Sequence, residues 1–504
     1  QVVKSARVMK EAVRVLQPFI EAEQAGENSS AGTVLLATVR GDVHDIGKNI
    51  VAVILACNNF RVINMGVMAE PQDIADKAEE EGADIIGLSG LITPSLTEMV
   101  HTVEELNRRR FVTPILIGGA TTSREHTAFF ISPKSRNPVI HVRDASESVK
   151  IASDLMRPGI REDFLRDIAA RYAQIREQLQ KRERVSLDSL DDSRELRFRI
   201  AGEPPLPPPR AVGVTVCDAV TLDELLPYLN WKMLFHAWKV RGDSQASAAV
   251  RSEVTALLRL CEEEGLFTPR GVVGIFPAAQ AGDDVEVFDP HNRNRAATLY
   301  FLRQQKTGSR HLSLADYIMP PDPGGAPRDY IGLFATTAGE GLHGEVARLR
   351  STGELYEELL LQTAADRVAE AMAEYIHEKY RREIWGYETG PQSEPGELVD
   401  ERAPYRGIRP APGYATTPDH TEKATILSLL GGEAVTGVAL TETYVMNPPA
   451  SECGYIFSAP ESDYFSVGKI DSGQLADYAE RKGWSRQEAG RWLSMVLEYQ
   501  DRDV

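Results

Sequence analysis

Between Gly32 and Met156 short apolar runs alternate with amphipathic stretches, and the runs TVLLATV, RVINMG, ADIIGLSGL, PILIGGA and VIHVRDA begin at residues 33, 61, 83, 114 and 139. A strand with one wet face alternates apolar and polar positions, whereas runs apolar at nearly every position are buried on both faces. The amphipathic stretches between them read as helical crossovers, which make neighbouring strands parallel. The pattern therefore predicts a doubly wound α/β domain with a five-stranded parallel sheet, flavodoxin-like or Rossmann-like in kind. Ligands of such sheets sit beyond the carboxyl ends of the strands, so the loops following the strands are the place to look for chemistry.

The pattern changes after residue 158. IREDFLRDIAARYAQIREQLQKRER reads as a charged helix with many opposite charges four residues apart, and AGEPPLPPPR carries five prolines from Pro204 to Pro209, which forbid helix or sheet. Residues 159–210 are thus expected to be a linker. From Ala211 to Val504 the signals are mixed: GVVGIFPA at 271–278 and DYIGLFATT at 329–337 read as strands, and a long helix runs through ELYEELLLQTAADRVAEAMAEYIHEKYRREIW. This half is predicted to be a larger α+β domain. The opening QVVKSARVMKEAVRVLQPFI predicts one amphipathic helix over 3–20, not a signal sequence.

Composition narrows the function classes. With 504 residues, 42% hydrophobic and 26% charged, the chain is an ordinary globular sequence. Its 56 Lys and Arg stand against 74 Asp and Glu, a net charge of -18, which argues against a generic nucleic-acid or anionic-membrane binder. No apolar run approaches the roughly 20 residues of a membrane span, so a cytoplasmic protein is expected. Four scattered cysteines without a Cys-x-x-Cys pair support neither a disulfide framework nor a thiolate zinc site.

The loop after the first run, RGDVHDIGKNIV, holds Gly41, Asp42, Val43, His44, Asp45 and Gly47. A neutral imidazole can give one nitrogen to a metal while a carboxylate holds its other N–H, and Asp42 is placed to be that carboxylate. Gly47 would let a bulky ligand approach the backbone closely. The plainer alternative makes His44 a loop histidine and Asp42 a turn former. The next loops offer Ser89, Leu91, Thr93 and Ser95 in SGLITPS, and Gly118 and Gly119 in IGGATTS. Thr93 and Ser95 would equally serve as helix caps, and the glycine pair as a turn. Three adjacent loops lacking bulk around one histidine nevertheless suggest a wide crevice for a large flat or elongated ligand.

These motifs carry a resemblance. DVHDIG is similar to the Asp-x-His-x-x-Gly signature of cobalamin-binding domains, SGL to their Ser-x-Leu element and GG to their glycine pair, in the same order. The whole run resembles that of the cobalamin-dependent methionine synthase family. The resemblance implies that His44 is the lower cobalt ligand, and that Asp42 and then Ser95 extend a hydrogen-bond chain setting its protonation. It implies further that Gly118 and Gly119 border the slot for the nucleotide tail. Gly41, Val43, Asp45, Gly47, Ser89, Leu91, Thr93 and Ala145 in VRDASESV would complete the cobalamin site.

A second motif, RGIRPAPGYATTPDHTEKATI, places Arg409 before a proline-stiffened segment ending in Gly413 and Tyr414. An arginine for a carboxylate and a tyrosine for stacking suit an amino-acid-like or nucleoside ligand, and a plain proline-rich surface loop is the alternative. Together with LRQQ, GVVGIFPA, DYIGLFA, AEAMAEYIHE, WGY and DYFSV, it resembles the reactivation domain of the same family, which binds S-adenosylmethionine. The resemblance implies that Arg409 meets the methionyl carboxylate, that the backbone at Ala411 and Gly413 meets the ligand, and that Tyr414, Tyr464 and Phe465 lie beside it. Glu370 and His420 are further candidates, or else a helix-surface charge and a helix-cap neighbour. One departure stands in LPYLNWKML, where Asn230 replaces a family aspartate that pairs with the ligand's amino group. An amide lacks that charge, so an affinity lower by about 1 kcal/mol is expected.

The resemblance divides the chain into a helical remnant of a cap (1–30), a cobalamin-binding domain (31–158), the linker (159–210) and an S-adenosylmethionine-binding reactivation domain (211–504). It implies part of a 5-methyltetrahydrofolate–homocysteine methyltransferase, with methylcobalamin as methyl carrier and S-adenosylmethionine as methyl donor for reductive repair of inactive cobalt(II) cobalamin. Homocysteine and folate modules are expected upstream, and zinc only there. A flavodoxin or flavoprotein reductase is the expected electron donor, and a monomer the expected state. Arg108, Arg109 and Arg110 are a candidate docking patch or simply a solvated helix end. Two other readings stay open: a non-catalytic corrinoid carrier or sensor, and a flavin-binding flavodoxin-like domain, against which His44 argues.

Overall fold

The structure, a computed structural model, describes residues 30–181, 185–200, 206–238, 240–242, 244–390 and 405–497, and the helix expected over 3–20 lies outside them. The chain divides into two compact units at residues 183 and 184. The first contains β1 (Thr33–Thr38), α1 (Ile46–Cys57), β2 (Arg61–Asn64), α2 (Pro71–Glu80), β3 (Ile85–Ser89), α3 (Thr93–Arg108), β4 (Ile115–Gly118), β5 (Val139–His141), α4 (Ala145–Met156) and α5 (Pro158–Lys181). All five expected strands are present, parallel, in the order β2-β1-β3-β4-β5. β1 is buried at all six positions because both sheet faces are covered. Val34 and Leu36 pack with Leu55, Ile151 and Leu155, and Leu35 and Ala37 pack with Ile74, Met99 and Val103. Thr38 is level with Ser89, so the loops that follow β1 and β3 leave the sheet side by side at the point where the winding reverses.

The stretch 159–210 is not the continuous linker that its charge and prolines suggested. Phe164, Leu165 and Ile168 of α5 pack against the first unit's core, the Tyr172 hydroxyl accepts from His141 N–H at 2.9 Å, and Arg176 donates to the Ala128 carbonyl at 3.0 Å. An apolar stripe at three- and four-residue spacing, masked by the surrounding charges, seats the helix. Residues 185–200 belong instead to the second unit. There Arg194 bridges Asp283 at 2.7 Å and Asp477 at 2.9 Å.

The second unit contains α6 (Leu190–Glu195), β6 (Gly213–Cys217), α7 (Trp231–Ala237), α8 (Gln245–Glu263), β7 (Arg270–Ala281), β8 (Asp284–Phe288), β9 (Arg295–Leu299), β10 (Asp329–Thr337), α9 (Glu340–Thr352), α10 (Leu355–Lys379), α11 (Glu422–Leu430), β11 (Ala439–Leu440), β12 (Met446–Asn447), β13 (Ser451–Ile456), α12 (Ser472–Lys482) and α13 (Arg486–Trp492). It is the expected α+β unit, with an antiparallel sheet ordered β13-β10-β7-β8-β9 and β6 added on β7. α11 covers one face through Ile426, Leu427 and Leu430, which join a core with Val272, Leu333 and Tyr455. On the other face α10 receives a hydrogen bond from Thr336 Oγ1 to the Ala369 carbonyl at 3.1 Å. No described helix is long and apolar enough to cross a membrane. All four cysteines are free thiols.

Arg303 is fully buried beneath the sheet, bonded to Asp283, to both oxygens of Asp316 and to the His311 carbonyl, each at 2.7 Å. Removing one side of such a pair leaves an uncompensated buried charge, which is why Arg303→Ala is expected to lower unfolding stability by about 3–5 kcal/mol. Urea denaturation followed by tryptophan fluorescence reads this, and a loss under about 1 kcal/mol would mean that the aspartates find other partners.

Candidate functional site

The loop after β1 turns back at once: Asp42 N–H donates to the Val39 carbonyl at 3.2 Å, and Gly41 has φ +74°. The turn carries the Asp42 side chain out of solvent altogether. Its Oδ1 accepts from His44 N–H at 2.9 Å and faces His44 Nδ1 at 2.8 Å. Its Oδ2 accepts from Leu91 N–H at 2.6 Å and from the Ser95 hydroxyl at 2.5 Å. Burial pushes the Asp42 carboxyl up, but the hydrogen bonds and charge of His44, with Ser95, outweigh it and hold the group below the usual carboxylate range. Facing an ionised carboxylate, Nδ1 is the ring nitrogen that carries the proton, which leaves the Nε2 lone pair for a ligand. The His44 side chain is 29% exposed, so that lone pair is within reach.

Ser95 is not a cap. The N-cap of α3 is Ile92, without a side-chain bond, Thr93 is the first helical residue, and the Ser95 hydroxyl is spent on Asp42. Gly119 has φ +121°, and a Cβ there would lie 1.9 Å from the Gly90 carbonyl oxygen, so the loops after β3 and β4 touch backbone to backbone. Gly47 has nothing within 4 Å of its Cβ position, and Gly118 has only the Val142 oxygen at 3.9 Å. Val43 and Asp45 are buried, Asp45 as the N-cap residue of α1. Ser89 ends β3, Leu91 is exposed, and Ala145 opens α4 behind the capping carboxylate of Asp144. An imidazole presenting Nε2 beside two bare glycines fits a large group bound through that nitrogen. The Leu91 amide, the third donor to Asp42, was not anticipated; small Gly90 directly after the strand is the signal that would have found it.

In the second unit Ile408 to Pro410 runs as an extra strand along β13, with Ile408 and Phe457 exchanging both N–H bonds at 2.9 and 3.0 Å and Tyr455 N–H donating to the Pro410 carbonyl at 2.9 Å. Arg409 N–H donates to the Tyr464 hydroxyl at 2.8 Å, and the Thr416 hydroxyl to the Phe465 carbonyl at 2.7 Å, so the two segments singled out in sequence lie together. Gly413 has φ +99°, and a Cβ there would lie 2.2 Å from the His420 ring, which is itself 3.0 Å from Lys423 Nζ. Ala411, between the extra strand and Gly413, is half-buried. Glu370 pairs with Arg367 at 2.6 Å. Asn230 is the N-cap of α7, its Oδ1 accepting from Met233 N–H at 3.1 Å.

The Arg409 side chain is no surface-loop group. Its guanidinium lies over the Phe334 ring at 5.2 Å, 2.8 Å from Glu374 and 3.4 Å from Glu452, and its Nε has no hydrogen-bond partner. Burial pushes Glu374 up, but Arg409 and His377 overcome this and bring it to about 2. Sequence reasoning missed Glu374 and Glu452 as partners of Arg409; the AEYIHE repeat of charge within an apolar helix was the signal for the first. Of the NRRR run, Arg108 is taken up by Glu105 and Arg109 by Glu105 and Asp76. They sit where α3 ends, toward the amino ends of the strands and away from the His44 loop.

The chain thus joins a doubly wound domain offering an imidazole at its switch point to an α+β unit whose buried arginine is bonded to an exposed tyrosine. Residues 221–483, more than half of the chain, match the family of the vitamin B12 dependent methionine synthase activation domain, and residues 32–130 match the B12 binding domain. The chain belongs to the vitamin B12-dependent methionine synthase activation-domain family. The crystal structure of the MetH reactivation domain bound to AdoHcy is 36% identical with a TM-score of 0.58, over 62% of this chain and 98% of that one. The methanol:cobalamin methyltransferase complex MtaBC from Methanosarcina barkeri is 22% identical over 32% of this chain and 60% of that one, with a TM-score of 0.27. A cobalamin-binding protein from Desulfitobacterium hafniense DCB-2 is 27% identical over 30% of this chain and 67% of that one, with a TM-score of 0.25.

Because Glu374 ionises in the fold at about 2, below its ordinary 4.5, its charge stabilises the fold above about pH 4.5, and that contribution is lost as pH falls toward 2. Glu374→Gln is therefore expected to cost about 3 kcal/mol at neutral pH, with the gap to the parent closing on acidification. Chemical denaturation across a pH series measures it, and a gap that does not change with pH would mean that packing rather than charge is at stake.

Proposed function

We infer that the first unit binds cobalamin through His44 Nε2 and that the second binds S-adenosylmethionine as methyl donor for reductive repair of the corrinoid, as part of a methionine synthase. The observation carrying this is the Asp42–His44 pair at 2.8 Å, with the buried carboxylate anchored by Leu91 N–H and Ser95. When bound, cobalamin supplies a cobalt that carries the methyl group between donor and acceptor. The protein's own part is to keep the proton on Nδ1 and Nε2 turned outward, which fixes both tautomer and ring orientation. Leu91 N–H and Ser95 do this at one remove, by holding Asp42 ionised and still. Gly47 and Gly118 leave the loops bare where a large ligand would pass, and Ser89, Thr93 and Ala145 stand at the ends of the elements bordering them.

For the nucleoside, Arg409 keeps Nε uncommitted for a carboxylate, and Tyr414 and Tyr464, 70% and 55% exposed, offer rings for stacking. Asn230, whose Oδ1 caps α7, stands where a family aspartate would pair with the ligand's amino group, and its lack of charge lowers the affinity by about 1 kcal/mol. The electron for repair would come from a flavodoxin or flavoprotein reductase, and the homocysteine and folate chemistry from other modules of such an enzyme. The relative crystallised with AdoHcy supports the nucleoside assignment.

Reconstitution with hydroxocobalamin is expected to shift the cofactor's absorption, with His44→Gly abolishing the shift, and an unchanged shift in that variant would remove His44 as ligand. Reductant plus S-adenosylmethionine should then yield the methylated cofactor's spectrum. Cobalamin binding without that conversion would favour a carrier or sensor instead.

A further inference from the structure

Arg409 stands between two carboxylates that hold it unequally. Glu374, on the helix that covers the sheet, is almost fully buried and bonds at 2.8 Å. Glu452, on β13, reaches the other arm of the guanidinium only at 3.4 Å and is 37% exposed. The first is the arginine's structural counterion, and the second is held loosely, with burial pushing its carboxyl up. Glu370 is paired with Arg367 at 2.6 Å and Glu374 with Arg409 at 2.8 Å, so Glu452 is the surplus carboxylate, sharing a guanidinium that is already taken. Exposed Tyr464 takes the backbone N–H of the same Arg409 on its hydroxyl at 2.8 Å.

A surplus carboxylate on an arginine that is itself bonded to an exposed tyrosine can receive a cation by charge pairing. A ligand carboxylate on Arg409 would add a third anion to one guanidinium, and the weaker of the two present contacts is the one to yield. We propose that Glu452 leaves Arg409 when an amino-acid nucleoside binds and pairs with its positive charge, making this site selective for the sulfonium compound over the neutral thioether left after methyl transfer. The proposal rests on the nucleoside assignment made above. S-adenosylmethionine carries one more positive charge than S-adenosylhomocysteine, and that one charge offsets the surplus at Glu452.

Isothermal titration of the whole chain with each nucleoside tests this. The parent should bind S-adenosylmethionine more tightly than S-adenosylhomocysteine. Glu452→Gln, which keeps shape and removes charge, should weaken the sulfonium compound about tenfold and leave the thioether within about twofold. Glu452→Asp should keep part of the preference. Equal affinities of the parent for the two compounds, or equal losses in Glu452→Gln, overturn the selectivity and leave the nucleoside site standing. A parent that binds neither compound overturns both the site and the selectivity. Should Glu452→Gln fail to fold, as judged by circular dichroism, the parent's own ratio decides.

Discussion

Burying a carboxylate costs several kcal/mol unless its lone pairs are met, and Asp42 meets that condition with donors drawn from two loops. His44 supplies two from the loop after β1, and Leu91 N–H and Ser95 supply two from beyond β3. The strand order makes this possible, since β1 and β3 are neighbours and Thr38 lies level with Ser89 across them. One side chain thus ties the switch point of the sheet together and sets the histidine's free nitrogen. Loss of Ser95 or of the α3 start would be felt at His44 without touching it. The backbone contact of Gly119 with Gly90 extends the same tie to the loop after β4.

The second unit uses buried arginines in two ways that the geometry separates. Arg303 is closed: four hydrogen bonds at 2.7 Å to two aspartates and a carbonyl leave it no exposed surface. Arg409 is open: one tight carboxylate, one loose one, an Nε without a partner and one exposed tyrosine bonded to its backbone N–H. Complete satisfaction makes a structural element, because any rearrangement would strand a charge. Partial satisfaction leaves donors that a further group can complete.

The fold was legible wherever burial alone dictates sequence. Five apolar runs gave five parallel strands, because the inner strands are covered on both faces and leave few positions for polar residues. The linker was misjudged for the converse reason. α5 is buried along one stripe only, and Phe164, Leu165, Ile168 and Tyr172 are few among many charges. A helix that docks by a narrow stripe and one that floats differ by a handful of residues, which charge counting overlooks.

Site residues were legible where one loop supplies them and illegible where distant segments converge. Asp42 and His44 are two residues apart, so their pairing follows from turn geometry. Glu374 and Glu452 lie 35 and 43 residues from Arg409, on a helix and a strand that meet only through the sheet. Gly119, expected to border a ligand slot, and Gly413, expected to meet a ligand through its backbone, face Gly90 and His420 of the protein itself on the Cβ side. Gly47 and Gly118 lack such neighbours, so only the packed structure separates a glycine that admits the chain's own backbone from one that leaves space beyond it.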